Sequence, residues 1–107
     1  MSEPALKALS EMVEVAHTRI QQAHEHINPV VEVRSGMRTA GIPADVLTID
    51  CRRTRRRIML ILHDEEPGLL LYQLIALEDE IAEEFERVAL SETSADTLVC
   101  WMQDYFR

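Results

Sequence analysis

The chain has 107 residues, of which 47% are hydrophobic and 28% charged, and its formal net charge at pH 7 is −8. This length and composition predict a single globular domain over residues 1–107, because two shorter pieces would each be too small to bury a stable core. The acidity argues against non-specific nucleic-acid binding, and no apolar run approaches the roughly 20 residues that a membrane-spanning helix needs.

The first predicted element is a long amphipathic helix over residues 4–27, for which Ser2 is a suitable N-cap. Its apolar positions are Leu6, Leu9, Val13, Ala16, Ile20, Ala23 and Ile27. Their 3-4 spacing is typical of a helix with one apolar stripe. The stripe can pack within the chain or against a second copy, and the sequence leaves that choice open.

A second helix is predicted from Asn28-Pro29 to Gly41. Proline suits the first position of a helix and glycine suits the residue just past its end. Gly36 in the middle is unfavourable, but the spacing is again 3-4-3. The apolar positions of this segment are Val30, Val33, Met37 and Ala40.

The middle of the chain predicts an antiparallel sheet. Residues 47–51 alternate between apolar and polar, as a half-buried strand does. Residues 56–75 predict a hairpin whose two strands are apolar on both faces, which is typical of central strands. Pro67 and Gly68 between them favour a tight turn.

Residues 77–90 fit two interpretations. Their Glu/Ala-rich composition and apolar spacing fit a helix, whereas the alternation from Glu84 to Leu90 fits a strand. We predict a strand over about 83–90 after an acidic loop at 77–82. The reason is that a fourth strand would shield an apolar hairpin edge that otherwise invites aggregation.

The last predicted element is a helix over about 94–106. Thr93 and Asp96 have the spacing of a capping box, and an apolar face that includes Trp101 and Tyr105 follows. The predicted architecture is therefore α+β. It is an antiparallel β-meander of about four strands, with two N-terminal helices and one C-terminal helix.

Five arginines fall within residues 52–57, which we call the arginine turn. They are Arg52, Arg53, Arg55, Arg56 and Arg57. Guanidinium groups bind carboxylate and phosphate in a bidentate manner, so the turn is a candidate site for an acidic partner protein or an anionic ligand. The sequence argues against nucleic acid as the partner, since no aromatic residue that could stack on a base precedes Tyr72.

The alternative is that the chain neutralises these arginines itself. Acidic residues are dense around 78–84. In a meander, the turn and this acidic loop lie at the same end of the sheet, about two strand spacings or roughly 10 Å apart. Under this interpretation the turn is structural.

The sequence contains few candidates for chemistry. Cys51 is the only plausible nucleophile, because neighbouring cations favour a reactive thiolate, but no histidine is near it in sequence. His17 and His24 lie about 10.5 Å apart along a helix, which is too far for one metal ion. His63 beside Asp64 is better explained as a solvated turn residue. We therefore predict no catalytic residue, metal site or cofactor.

These observations predict a small non-enzymatic binding, adaptor or regulatory protein that self-associates as a homodimer. Two cysteines without paired spacing, and a start without a secretory signal, favour the cytoplasm and no membrane insertion. The alternatives are an anion- or nucleic-acid-binding protein, a chaperone for an extended client segment, and an enzyme that uses Cys51. The residues predicted to mediate self-association are Leu6, Leu9, Val13, Ile20, Trp101 and Tyr105.

Overall fold

The computed structural model describes residues 3–24, 27–34, 39–78 and 85–106. These ranges form an α+β fold whose sheet is an antiparallel meander in the order β1-β2-β3-β4-β5. The α+β class and the meander are confirmed; the described residues form five strands and two α-helices, where about four strands and three helices were predicted. The elements are α1 (Glu3–Ala23), β1 (Val30–Arg34), β2 (Ala44–Cys51), β3 (Arg56–His63), β4 (Leu69–Ala76), β5 (Glu86–Ala89), a 3₁₀ turn (Leu90–Glu92) and α2 (Ala95–Tyr105).

Helix α1 confirms the first predicted helix but ends at Ala23, four residues before the predicted end. The side chains of the central stripe are buried at Leu9, Val13 and Ile20, as the spacing requires. Beyond the helix, the His17 Nε2–H donates a hydrogen bond of 2.7 Å to the Pro29 carbonyl. The imidazole must be the donor, because a carbonyl oxygen can only accept a hydrogen bond. The contact ties the segment between α1 and β1 to the helix.

The second predicted helix is wrong over residues 30–34, which form strand β1 and pair with β2. The apolar spacing of this segment fitted a helix by coincidence. Three of the five residues of β1 are valines, whose branched Cβ restricts the side chain in a helix and suits a pleated surface. This pairing covers the side of β2 that faces away from the apolar hairpin. Residues 35–38 of the predicted helix lie outside the described residues.

The predicted hairpin of residues 56–75 is confirmed as β3 and β4, and β3 occupies the centre of the sheet. Gly68 in the turn has φ +80°, a left-handed conformation that glycine adopts without strain. The predicted strand at 47–51 is also confirmed and extends back to Ala44.

The two faces of the sheet bury different sets of residues. The first face packs with α1 and α2 in one cluster, to which Ile49, Ile58 and Leu60 belong. The second face carries a separate cluster around Met59 and Ile61, and no residue of the described helices belongs to it. Both clusters are buried within a single chain. The second face therefore offers little apolar area to another copy.

Within residues 77–90 the strand interpretation is confirmed for Glu86–Ala89, which pair with β4. Residues 83 and 84, and most of the predicted acidic loop, lie outside the described residues. Strand β5 is short and covers the outer side of β4. The sheet therefore ends in β1 on one side and β5 on the other.

Helix α2 confirms the C-terminal helix, with its cap one residue later than predicted. Ser94 is the N-cap, and it exchanges hydrogen bonds with Thr97 in a capping box. Trp101 of this helix stacks on Tyr72 of β4 with ring centroids 4.4 Å apart. Neither described helix is both long and apolar enough to cross a membrane.

Candidate functional site

The arginine turn is the loop of the β2–β3 hairpin together with the first residues of β3. Arg55, the last residue of the loop, has φ 57° in the left-handed region, where the chain reverses into β3. This reversal makes Arg52 and Arg53 the tip of the hairpin. It also places Arg56 and Arg57 on opposite faces of the sheet, because successive strand residues alternate.

Arg57 is paired with Asp50, its cross-strand neighbour on β2. Its Nε and Nη2 donate to the two carboxylate oxygens at 2.7 and 2.9 Å. The two side chains are only 21% and 17% exposed. These hydrogen bonds raise the pKa of Arg57 further above its ordinary value. The guanidinium of Arg57 is therefore occupied by its own chain.

Arg56 points to the opposite face and contacts the end of α2. Its Nη1 donates a 2.7 Å hydrogen bond to the carbonyl oxygen of Tyr105, and its guanidinium carbon lies 5.1 Å from the centre of the Tyr105 ring. No basic residue occupies the last turn of α2 itself. Arg56 therefore supplies the cation that stabilises the negative end of this helix.

Arg55 confirms part of the predicted proximity between the arginine turn and the acidic segment. Its side chain contacts Glu78, and its carbonyl accepts a 2.9 Å hydrogen bond from the Leu77 N–H. The hydrogen bond from Arg55 holds the pKa of Glu78 below its ordinary value of 4.5. Residues 79–84 of the predicted partner segment lie outside the described residues.

Arg52 and Arg53 are exposed, and no described residue forms an ion pair or hydrogen bond with either side chain. The five arginines therefore divide into three with partners in the same chain and two at the hairpin tip without a described partner. Among the described contacts, only the two at the tip retain free guanidinium groups for an external anion. This division follows from position in the hairpin, since all five are the same residue type.

The residues predicted to mediate self-association lie in or against the core that joins the helices to the first face. Leu9, Val13 and Ile20 are almost completely buried. Leu6, Trp101 and Tyr105 are partly buried against the same cluster. Self-association itself stays a prediction, but the three buried side chains have no exposed area left for a second copy.

The candidates for chemistry are occupied or inaccessible. Cys51 is 1% exposed, so its sulfur is shielded from solvent. His17 is bonded to Pro29, and His63 Nδ1 accepts the Glu65 N–H at 3.1 Å. In the part of the chain that the structure describes, no three His, Cys, Asp or Glu side chains are grouped as metal ligands.

A small pocket lies near the β3–β4 turn, with His63 in its wall. Its volume is about 70 Å³, whereas sites for small-molecule ligands measure roughly 300–1,000 Å³. Ala5, Leu62 and Leu90 form part of the lining, so the pocket is the space between α1, β3 and the 3₁₀ turn. It has room for little more than solvent.

The outer edge of β1 is a feature that the sequence interpretation missed, because it assigned these residues to a helix. Four of the five residues of β1 are exposed. The strand pairs with β2 on one side, and no described strand lies on the other. Val33 is 57% exposed, the largest value among the large hydrophobic residues that the structure describes. The three valines in five residues were the available signal for a strand here.

Comparisons with known proteins supply no relative. No protein-family model, curated protein or solved structure matches the chain. Function is therefore inferred from the geometry of the described residues.

Proposed function

We propose that this protein is a small non-enzymatic binding or adaptor protein with a regulatory role, and that it self-associates. The observation that supports this proposal is the outer edge of β1, on which no described strand lies and where backbone N–H and C=O groups lie beside the exposed Val33. Such an edge is a template for pairing with another strand. The inaccessible thiol of Cys51 favours binding over catalysis.

The cytoplasm is the proposed location, supported by the two free cysteines, one buried at Cys51 and one exposed at Cys100. An exposed thiol persists most readily where the environment is reducing. The same open edge could hold an extended segment of a client protein, as a chaperone would. We favour a second copy because the charged residues of β1, Glu32 and Arg34, are complementary to each other.

Sedimentation velocity over a range of protein concentrations tests the self-association. We expect the weight-average sedimentation coefficient to rise with concentration for the wild type and to stay at the monomer value for Val33→Lys. A lysine on an edge strand opposes strand addition, because its charge would have to be desolvated. Val15→Lys is the matched control, since Val15 is also an exposed valine but lies on α1. A wild type that remains monomeric would contradict self-association.

A second candidate function is anion binding at the hairpin tip, which the free side chains of Arg52 and Arg53 favour. With only these two arginines available, the affinity of the tip for an anion should be low. Against duplex DNA, two phosphate contacts give a slope of log K against log salt of about −2, whereas five would give about −4.5. An acidic protein segment is therefore a better ligand for this tip than nucleic acid.

Fluorescence anisotropy with a labelled poly-glutamate peptide and a labelled DNA duplex, each at several salt concentrations, tests this candidate. We expect the double variant Arg52→Ala/Arg53→Ala to lose peptide binding. The control is Arg55→Ala, which removes an arginine that already has a partner in Glu78. Equal affinities for the peptide in the wild type and the double variant would exclude the tip as a binding site.

A further inference from the structure

The two edges of the sheet differ in how they are protected. Strand β5 has four residues, one of which, Arg87, is held by an ion pair to Glu66 at 2.8 Å. Strand β1 is longer, and its exposed side chains include Val33 and an oppositely charged pair, Glu32 and Arg34. Edge strands are protected by charged side chains, lysine above all, by proline or by bulges. Within Val30–Arg34 there is no lysine, proline or bulge, and the two charges present, Glu32 and Arg34, have opposite signs and pair with each other.

From these features we infer that β1 pairs with β1 of a second copy in an antiparallel ladder about a two-fold axis at Val33. This inference rests on the self-association proposed above and specifies its surface and register. The two five-stranded sheets then join into one continuous sheet of ten strands. The partner of the outer edge of β1 is therefore a second copy of this chain.

The register follows from geometry and charge. In an antiparallel ladder, two residues directly opposite each other have their side chains on the same face. Neighbouring residues of one strand lie on opposite faces. A two-fold axis that relates the two copies must therefore pass between a residue and its own copy. An axis at Glu32 would place the two Glu32 carboxylates opposite each other. An axis at Val33 instead places each Glu32 opposite Arg34 of the second copy, and the two valines face each other. Like charges directly opposite are unfavourable and opposite charges are favourable.

The groups required for this pairing are accessible. The side chains of Arg34 and Glu32 are 44% and 58% exposed, and they already touch within one chain, with Arg34 Nη2 3.0 Å from Glu32 Oε2. Arg34 Nε donates to Thr48 Oγ1 of β2 at 3.3 Å, which holds the guanidinium on the face of the sheet that carries Glu32. A guanidinium has five N–H donors, so it retains donors for a second carboxylate. Two copies would form a closed ring of two carboxylates and two guanidinium groups.

A contact between two five-residue strands is small compared with stable dimer interfaces, which bury at least about 1,200 Å². We therefore expect a weak dimer with a dissociation constant on the order of 100 µM, within reach of sedimentation at high protein concentration. The two-fold axis closes the contact on itself, so each pairing uses up both β1 edges and does not propagate.

Charge-swapped variants test the register. Glu32→Arg makes both members of each cross-copy pair arginines, and Arg34→Glu makes both members glutamates. Each variant alone should therefore self-associate at least about tenfold more weakly than the wild type. In an equimolar mixture of the two variants, both cross-copy pairs are again of opposite charge. Sedimentation velocity of the mixture should recover a dimer of about wild-type affinity.

Matched controls carry the same charge changes elsewhere. Glu86→Arg alters the other edge of the sheet, and Lys7→Glu alters an exposed position on α1. Both should self-associate like the wild type. Far-UV circular dichroism and melting temperatures of all variants confirm that the chains are folded. The Glu32–Arg34 contact is exposed, so its loss should leave the melting temperature nearly unchanged.

Three results would overturn the inference, each in a different way. A monomeric wild type rejects both the register and the self-association. Wild-type dimers that neither charge variant weakens place the interface elsewhere and leave self-association standing. Dimers weakened by Glu32→Arg but not by Arg34→Glu, with no recovery in the mixture, reject the axis at Val33.

Discussion

The arginine turn has two parts, the start of β3 and the hairpin tip, and their arginines differ in burial and in contacts. Arg57 and Arg56 are partly buried, and each binds an acceptor of its own chain, the Asp50 carboxylate and the Tyr105 carbonyl. Arg52 and Arg53 at the tip are exposed without a described partner. The charge density of a sequence segment therefore does not measure its capacity to bind anions. Position in the hairpin decides how many guanidinium groups remain free.

Replacing Arg57 should reduce the stability of the fold more than replacing any other residue of the arginine turn. Arg57→Ala leaves the Asp50 carboxylate mostly buried without its counter-charge, and we expect a loss of about 2 kcal/mol in the free energy of unfolding, less than for a fully buried pair. Urea unfolding followed by circular dichroism measures it. A double-mutant cycle with Asp50→Ala isolates the pair. Strictly additive losses in that cycle would show that the two side chains do not stabilise each other.

A smaller effect is expected at the end of α2. Arg56→Ala removes the hydrogen bond to the Tyr105 carbonyl and the cation near the negative end of the helix, and we expect a loss of about 1 kcal/mol. Urea unfolding followed by Trp101 fluorescence reports on the helix directly. Arg53→Ala is the control and should be neutral. Equal stability of the two variants would mean that Arg56 contributes nothing to the helix.

The smallest effect concerns Arg55 and Glu78, which are exposed. The pKa of Glu78 is below 4.5 in the folded chain. The pair therefore contributes its stability above that pH and loses it as the pH falls through the folded-state pKa. Arg55→Gln should raise the pKa of Glu78 toward 4.5, as measured by carboxyl-detected NMR titration. Arg53→Gln should leave it unchanged. A shift of the same size in both variants would assign the effect to the general field of the turn.

Much of the fold could be predicted because its signals are local. The 3-4 stripe of α1, the doubly apolar hairpin and the turn at Gly68 each depend on a few neighbouring residues. The segment at Val30–Arg34 could not be assigned in the same way, because its apolar spacing fits a helix and only its three valines favour a strand. What decides it is a non-local interaction, the ladder with β2. The residues of the segment alone do not show which strand it will pair with.

For the candidate sites, one contact could be expected from the sequence and the others could not. Proximity of the arginine turn to the acidic segment followed from meander topology, and the contact of Arg55 with Glu78 supports it. The pairing of Arg57 with Asp50 depends on strand register, and the contact of Arg56 with Tyr105 depends on where α2 ends. Neither can be read from composition. The open edge of β1 was missed because an edge exists only once the strand order is known.

The strand order also has a kinetic consequence. Each strand of the sheet pairs with its neighbour along the chain, so every hairpin closes a short loop at small entropic cost. The contact of α1 with α2 is different, since Arg19 and Asp96 are 77 residues apart in sequence. We expect the sheet to assemble first and α1 to dock last, which pulsed hydrogen exchange can test through late protection of the amides of α1. Until α1 docks, the part of the first face that α1 covers in the native chain is exposed, and we expect aggregation to be fastest in this interval.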